Sequence, residues 1–576
     1  MRIREVVEHL MPHGSEAMAS LLEVTTNGPK GVPLEKCPNW PVDLFAVAGS
    51  LIERSGCYTL ACPDRSDLKE HEVYLDRVNA LALAWNLDVL APPPEVVRLW
   101  ERLVNEYGDT PVDRLSDSAD LVRCLLTLFA IADEACIGMG WDVREDEANT
   151  NMFAALALVD ITGKERSTRM IPNLPASLCI AVPPDRAIVL PKSITSSVGC
   201  TIRSLSHYLA LLPPESIVAP SWILSSKQRS VDSRPDPQDP YDLRLLLIPF
   251  PFVIHAESFQ LSTPRTSFGV DNHIPAYFKL VQRWLEHAGQ KLTGRQLADE
   301  LFLPLIQQAV AESAWMPNGI VLPECALSSG LARELVQALA DSGIEFLITG
   351  VLDTVPETGI TYNRAQTFVI RPGEGAVVRE QNKHHRWRLD RHQTDRYALD
   401  FDPDPCNDKW WEDIDVGQRK LPLFGLRKDM SLATLICEDL ARTDPAMAVI
   451  KAVGPNLVVA LLMDGPQLAA RWPGRYATVL AEDPGSAVLS FTCAALVDRS
   501  NWLEAKPARS IGLWRDAGGT TQEIGLPPGS LGVLLTLQSA RKHQNTLDNR
   551  TDHSLSRQLT LRTVVPLFIA NRPEWL

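Results

Sequence analysis

The sequence predicts a mixed α/β fold behind a mostly helical N-terminal region. Three observations predict it. From Leu243 onward, short apolar runs alternate with helical patterns. Two of these runs, Thr361 to Ile370 and Ala376 to Asn382, flank Arg371-Pro372-Gly373-Glu374-Gly375, which is the composition of a hairpin turn. Before about residue 225 the first apolar residues recur at helical spacing instead. Strands joined both by hairpins and by helices give a mixed sheet layered with helices.

Length and composition bound the rest. The chain has 576 residues, enough for roughly two to four domains. Apolar residues make up 45% and charged residues 22%, as in ordinary globular proteins. The net charge of −15 argues against general binding to nucleic acid or anionic membranes, because phosphate contacts need a basic surface. The eleven cysteines are odd in number and form no C-x-x-C pair, so neither a disulfide framework nor a zinc ribbon is expected. A reducing cytoplasm fits that usage. Met1 to Leu22 is charged and lacks an apolar run, so no secretory leader is expected. Leu121 to Gly140 is apolar but interrupted by Arg123, Asp133 and Glu134, and reads as a buried helix and not a membrane span.

In the N-terminal part, Leu68 to Leu90 and Pro94 to Tyr107 read as helices parted by Pro92-Pro93-Pro94, and Ser118 to Ala135 as a third. Phe153 to Asp160 and Ala176 to Val182 read as short strands or buried segments. Ser204 to Leu212 reads as a short helix, with His207 as a packed or capping histidine. No metal-ligand spacing, Gly-rich phosphate loop or repeat appears, so no cofactor and no metal are expected. Ser226 to Tyr241 is rich in Ser, Asp and Pro and reads as a linker. The expected organisation is an N-terminal helical domain over 1–225, a linker over 226–241 and an α/β domain over 242–576.

Leu243 to Phe252 opens that domain as a central strand. Tyr277 to Ala311 reads as two helices parted near Lys291 to Gly294. Ile320 to Leu322 is a short strand followed by Pro323-Glu324, and Ser329 is placed as the cap of a helix to Leu339. A strand from Ile344 to Leu352, the hairpin, and Lys383-His384-His385 at its end follow. Ser431 to Ile436 is a buried strand, and Cys437-Glu438-Asp439 stands directly after it. Asp444, Pro445 and Gly454 bracket a helix over Ala446 to Val453. Asn456 to Met463 and Ala487 to Cys493 are further strands on either side of a helix over Arg475 to Glu482. Ser530 to Leu537 and Leu559 to Ile569 are terminal strands.

Glu324, Lys383 and Cys437 thus stand at three strand ends. Alone, each is ordinary: a small apolar residue closing a strand, a surface lysine, an edge glutamate. Together they make a chemical set. A thiol needs a base to become a strong nucleophile, and a carboxylate in a dry site can serve. Attack on a carbonyl or nitrile carbon creates negative charge that an ammonium stabilises. The strand–turn placement and Lys383 are expected to favour the Cys437 thiolate, making it the first of the cysteines to react with an electrophile.

With these flanks, Leu243 to Asn501 resembles the nitrilase, or carbon–nitrogen hydrolase, superfamily. The resemblance rests on Leu322-Pro323-Glu324, Tyr362-Asn363, Lys383 with His384 and His385, and Ile436-Cys437-Glu438-Asp439. It implies a four-layer αββα sandwich and an intracellular enzyme. It also implies Glu324 as general base, Lys383 as oxyanion stabiliser and Cys437 as the nucleophile that forms a thioester or thioimidate. A second glutamate that positions the lysine is implied as well, and Glu412 in Trp410-Trp411-Glu412-Asp413 is the candidate. The implied substrate is a small amide or nitrile, and the implied assembly a homo-oligomer of at least two copies. The Cys-Glu-Asp form is like that of glutamine-amidase members. The layout is also similar to nitrilase-like domains attached to bacterial antiviral reverse transcriptases. Two other readings stay open: acyl transfer to an amine on the same intermediate, and an assembly or sensing module whose N-terminal region binds a protein partner.

Overall fold

A computed structural model describes residues 1–12, 14–15, 36–63, 68–88, 91–139, 177–195, 198–212, 219–224, 242–262, 276–371, 373, 375–427, 430–502, 504–552 and 556–576. Two seven-stranded sheets form its centre. The first runs, edge to edge, Gly375–Asn382, Thr361–Arg371, Phe346–Thr354, Gly319–Val321, Leu243–Leu247, Gly532–Arg541 and Arg557–Leu567. The second runs Thr521–Gly525, Ser510–Arg515, Ala487–Thr492, Leu457–Leu462, Met430–Ile436, Lys420–Arg427 and Ala219–Leu224. Both are mixed: Leu243–Leu247 and Gly319–Val321 are parallel, as are Met430–Ile436, Leu457–Leu462 and Ala487–Thr492. Antiparallel hairpins flank these parallel cores.

The central strands are buried on both faces, which is why they read as unbroken apolar runs such as Leu457-Val458-Val459-Ala460-Leu461-Leu462. The sheets pack face to face, and Phe346 of one meets Phe424 of the other edge-on with ring centroids 5.2 Å apart. Ser329–Ala338 and Leu303–Ser313 cover the outer face of the first sheet, and Trp472–Glu482 covers that of the second. The result is the four-layer αββα sandwich. A third sheet of four strands, Arg388–Asp390, Lys409–Glu412, Ala276–Leu280 and Phe259–Ser262, carries a separate apolar cluster of Phe259, Phe278, Trp387, Leu389, Tyr397 and Trp410.

Among the described residues the N-terminal part is mostly helical up to Glu134, and short strands follow from Ile188. Pro41–Ser55 packs on Ala119–Glu134 with Phe45 stacked on Phe129 at 4.5 Å. Buried Asp43 accepts the backbone N–H groups of Ile180, Ala181 and Val182, and burial, only partly offset by those donors, pushes its pKa up to about 6. This part is joined to the sandwich. Ala219–Leu224 pairs with Lys420–Arg427 as an edge strand. Arg550, 2% exposed, binds Asp133 at 3.0 Å, Glu134 at 2.7 Å and Asp548 at 3.0 Å. His207 bonds Thr195 and the Arg550 carbonyl, and is the packed histidine its neighbours imply.

Some expected elements differ. Ser204 to Leu212 is not a helix. A 3-10 turn, Ile202–Leu205, leads into the strand Leu209–Leu212, because Asp133 takes the N–H groups of His207, Tyr208 and Leu209 that a helix would use internally. Tyr277 to Lys291 forms no α-helix either, only the 3-10 turn Arg283–Leu285. Ala276–Leu280 is drawn into the third sheet between Lys409–Glu412 and Phe259–Ser262, and α-helix begins only at Gly294. The helix after Phe302 stands as expected. Ser328, and not Ser329, caps the next helix, since its hydroxyl accepts from Leu331 N while the Ser329 hydroxyl is taken by Asp353. Ala446–Val453 is preceded by Pro445 with no side-chain cap, so Asp444 does not cap it. Residues 177–182 are mostly buried without forming a strand. Phe153 to Asp160 and the whole of the expected linker, 226–241, lie outside the described residues. Among the described residues all eleven cysteines are free, and no helix is long and apolar enough to cross a membrane.

Candidate active site

Glu324, Lys383 and Cys437 each leave a strand at its C-terminal end. In the first sheet, Gly375–Asn382 and Gly319–Val321 run in the same direction with two strands between them, so Lys383 and Glu324 leave the same edge. Leu322 N still bonds Ile348 O at 2.8 Å, and Pro323 O accepts from Gly350 N at 3.0 Å. Cys325, with φ of 55°, then turns the chain. Gly350 is required there: a Cβ on it would lie 2.4 Å from Glu324 Cα. Lys383 N donates to Asn363 O at 2.8 Å, which extends the hairpin register by one residue and fixes the lysine's base.

Cys437 ends Met430–Ile436 and opens the 3-10 turn Cys437–Ala441. Its φ of 45° lies in the left-handed region, which costs a residue with a Cβ roughly 1–3 kcal/mol and clusters at functional sites. The turn is held by Asp439, 1% exposed, whose carboxylate accepts His384 N at 3.1 Å and meets His385 Nδ1 at 2.9 Å. The nucleophile's turn and the lysine's loop are therefore tied by one carboxylate.

The charged groups converge in a buried contact. Lys383 is fully buried, and its Nζ donates to Glu324 Oε1 at 2.8 Å and Glu412 Oε2 at 2.7 Å. Asn363 Nδ2 donates to Oε1 of both glutamates, each at 2.8 Å. Trp387 N donates to Glu412 Oε2 at 3.0 Å. Glu324 Oε2 is buried and has no hydrogen-bond partner among the described residues. Glu412 reaches the site from the third sheet, at the end of Lys409–Glu412.

Burial works against the charge on Lys383, but Glu324 and Glu412 outweigh it and hold its pKa well above the ordinary lysine value. Burial pushes the Glu324 carboxyl up; Lys383 and Asn363 pull it back without cancelling the rise. The Cys437 thiol is driven well up by burial and by the Glu324 charge, and Lys383 offsets only part of this. This runs against the expectation of a ready thiolate: Lys383 is already neutralised by two carboxylates, and burial disfavours the charged form of Cys437. Glu324, Cys325 and Glu412 also offer a sulfur and two oxygens within 4.8 Å of one another, but the Lys383 ammonium already sits against both carboxylates.

The site thus brings Glu324, Lys383 and Glu412 into direct contact and places Cys437 within electrostatic reach of the first two. Two roles escaped the sequence. Asn363 bridges both glutamates, and Asp439 ties two loops. Both belong to motifs visible in the sequence, but only the register of the hairpin shows that Asn363 lies opposite Lys383.

No protein-family model matches the sequence, and no curated protein matches it. Among solved structures, a nitrilase-superfamily protein from Saccharomyces cerevisiae is similar over 49% of this chain and 86% of its own, at 13% identity and a TM-score of 0.28. The amidase of Nesterenkonia sp. AN1 is similar over 51% of this chain and 89% of its own, at 14% identity and a TM-score of 0.29. Glutamine-dependent NAD+ synthetase from Acinetobacter baumannii matches 56% of this chain, which spans 48% of the synthetase, at 12% identity and a TM-score of 0.29.

Proposed function

We propose that this chain is a carbon–nitrogen hydrolase that cleaves a small amide or nitrile through a Cys437 thioester or thioimidate. The observation that carries the reading is the buried contact of Lys383 with Glu324 and Glu412 beside a thiol held at positive φ. The free Glu324 oxygen takes the Cys437 proton as sulfur attacks the carbonyl carbon. The carbonyl electrons move to oxygen, and the Lys383 ammonium stabilises that charge. The C–N bond then breaks, and Glu324 returns its proton to the leaving nitrogen. Water adds to the thioester with Glu324 again accepting a proton, and Cys437 is released as the thiol with a carboxylic acid product. Glu412 keeps Lys383 charged and aimed.

An amine in place of that water would give acyl transfer with the same residues. The reading also includes a cytoplasmic homo-oligomer, for which closed two-fold assemblies are the commonest precedent, and a protein partner for the N-terminal region. The test is ammonia release from a panel of small amides and nitriles, with Cys437→Ala as the blank. Release that disappears in Cys437→Ala, with an acyl adduct on Cys437 by mass spectrometry, is the expected result. Release that persists in Cys437→Ala, or a panel that yields neither ammonia nor adduct, overturns it.

A further inference from the structure

From the hydrogen bonds around the two glutamates we infer that Asn363 is a positioning residue of this site, one that decides which oxygen of Glu324 is left to act as the base. The inference rests on the hydrolase reading and adds to it a residue that does not touch the reacting atoms.

Asn363 is 0% exposed and stands near the start of Thr361–Arg371, one of the two strands between those of Lys383 and Glu324, at the edge all three share. Its backbone carbonyl accepts Lys383 N, so its position is tied to the lysine. Its side-chain nitrogen donates to Glu324 Oε1 and Glu412 Oε1, each at 2.8 Å, and an amide NH2 has two hydrogens to give. Both are spent on the two carboxylates. The flipped amide would set its oxygen against two carboxylates, so this orientation is fixed by charge. Asn363 Oδ1, buried, accepts nothing from the described residues.

The consequence lies in how the four carboxylate oxygens are used. Glu324 Oε1 accepts from both Lys383 and Asn363. Glu412 Oε1 accepts from Asn363, and its Oε2 from Lys383 and from Trp387 N. Only Glu324 Oε2 is left over. Without the amide, nothing but Lys383 orients Glu324, and an ammonium can be shared by either oxygen or by both. The carboxylate is then free to rotate its open oxygen onto the lysine, which removes the base from the thiol. Losing a donor to the charged form also makes Glu324 harder to ionise.

The test compares the wild type with Asn363→Leu, which keeps the branching and removes the amide, and Asn363→Asp, which keeps the shape and turns the donor into an acceptor. Folding of each is checked by its urea midpoint. The readout is the rate of alkylation of Cys437 by iodoacetamide against pH, followed by peptide mass, which needs no substrate. In both variants the rate at neutral pH should fall at least tenfold, and the acid limb should move to higher pH by about half a unit or more. A packing role alone would lower the midpoint and leave the limb in place. Identical limbs in the wild type and in whichever variant folds would overturn the inference while leaving the hydrolase reading intact. An amide panel without Cys437-dependent release would instead sink the hydrolase reading, whatever the alkylation profile shows.

Discussion

Replacing Lys383 with methionine removes the cation that Glu324 and Glu412 share. The wild-type ammonium is fully buried and holds two carboxylates at 2.8 and 2.7 Å. Methionine fills similar space but leaves Glu324 and Glu412 buried, charged and bridged only by Asn363. Breaking a buried pair in this way costs about 3–5 kcal/mol, a large share of a typical stability of roughly 5–15 kcal/mol. The site can recover part of that by binding a proton. Burial already holds Glu324 above the usual carboxylate range with Lys383 present, and loss of the lysine removes its main opposing force. A carboxyl whose folded pKa is raised binds a proton that the unfolded chain releases, so stability falls as pH rises from the ordinary carboxylate value through the raised one. The lysine's own pKa is raised, so in the wild type its contribution is present in full throughout that range. Urea unfolding should therefore show a larger deficit at about pH 8 than at about pH 5, and Lys383→Met combined with Glu412→Gln should regain part of it at pH 8. A deficit under about 1 kcal/mol, or one equal at both pH values, would refute this account of the buried charges.

Three further outcomes follow from the same structure. Gly350→Ala would drive a Cβ to 2.4 Å from Glu324 Cα and 2.6 Å from Cys325 N, so it should cost about 1–3 kcal/mol by thermal melting and lower ammonia release more than its stability loss explains. Arg550→Met strands Asp133, Glu134 and Asp548 without their cation. Burial, partly offset by Arg550, already lifts Glu134 to about 7, so a deficit of about 3–5 kcal/mol in urea should deepen as pH rises through 7. Limiting iodoacetamide at neutral pH should label exposed Cys62, Cys200 and Cys406 before Cys437, and peptide mapping that finds Cys437 first would show that Lys383 and the turn outweigh burial.

The sequence by itself determined the strand ends. Apolar runs with the length of buried strands end at Leu322 and Ile436, a hairpin strand marked by its turn ends at Asn382, and the residue types that follow are chemically coherent. The hairpin was legible because its turn carries the glycine and proline that a reversal needs. Glu412 was legible only as a candidate, because its strand belongs to a small sheet whose partner, Ala276–Leu280, has a helical sequence pattern. Pairing between distant strands overrides local preference there, as Asp133 does at His207 to Leu209. Only the tertiary structure showed which way the surroundings of Cys437 push its thiol. A thiol's charge depends on the water it has lost and on every charge nearby, and two carboxylates meeting on one lysine cannot be read from spacing. The same holds for Asn363: its two bonds exist because the first sheet sets it at one edge with Glu324 and Lys383, and the third sheet brings Glu412 to that edge.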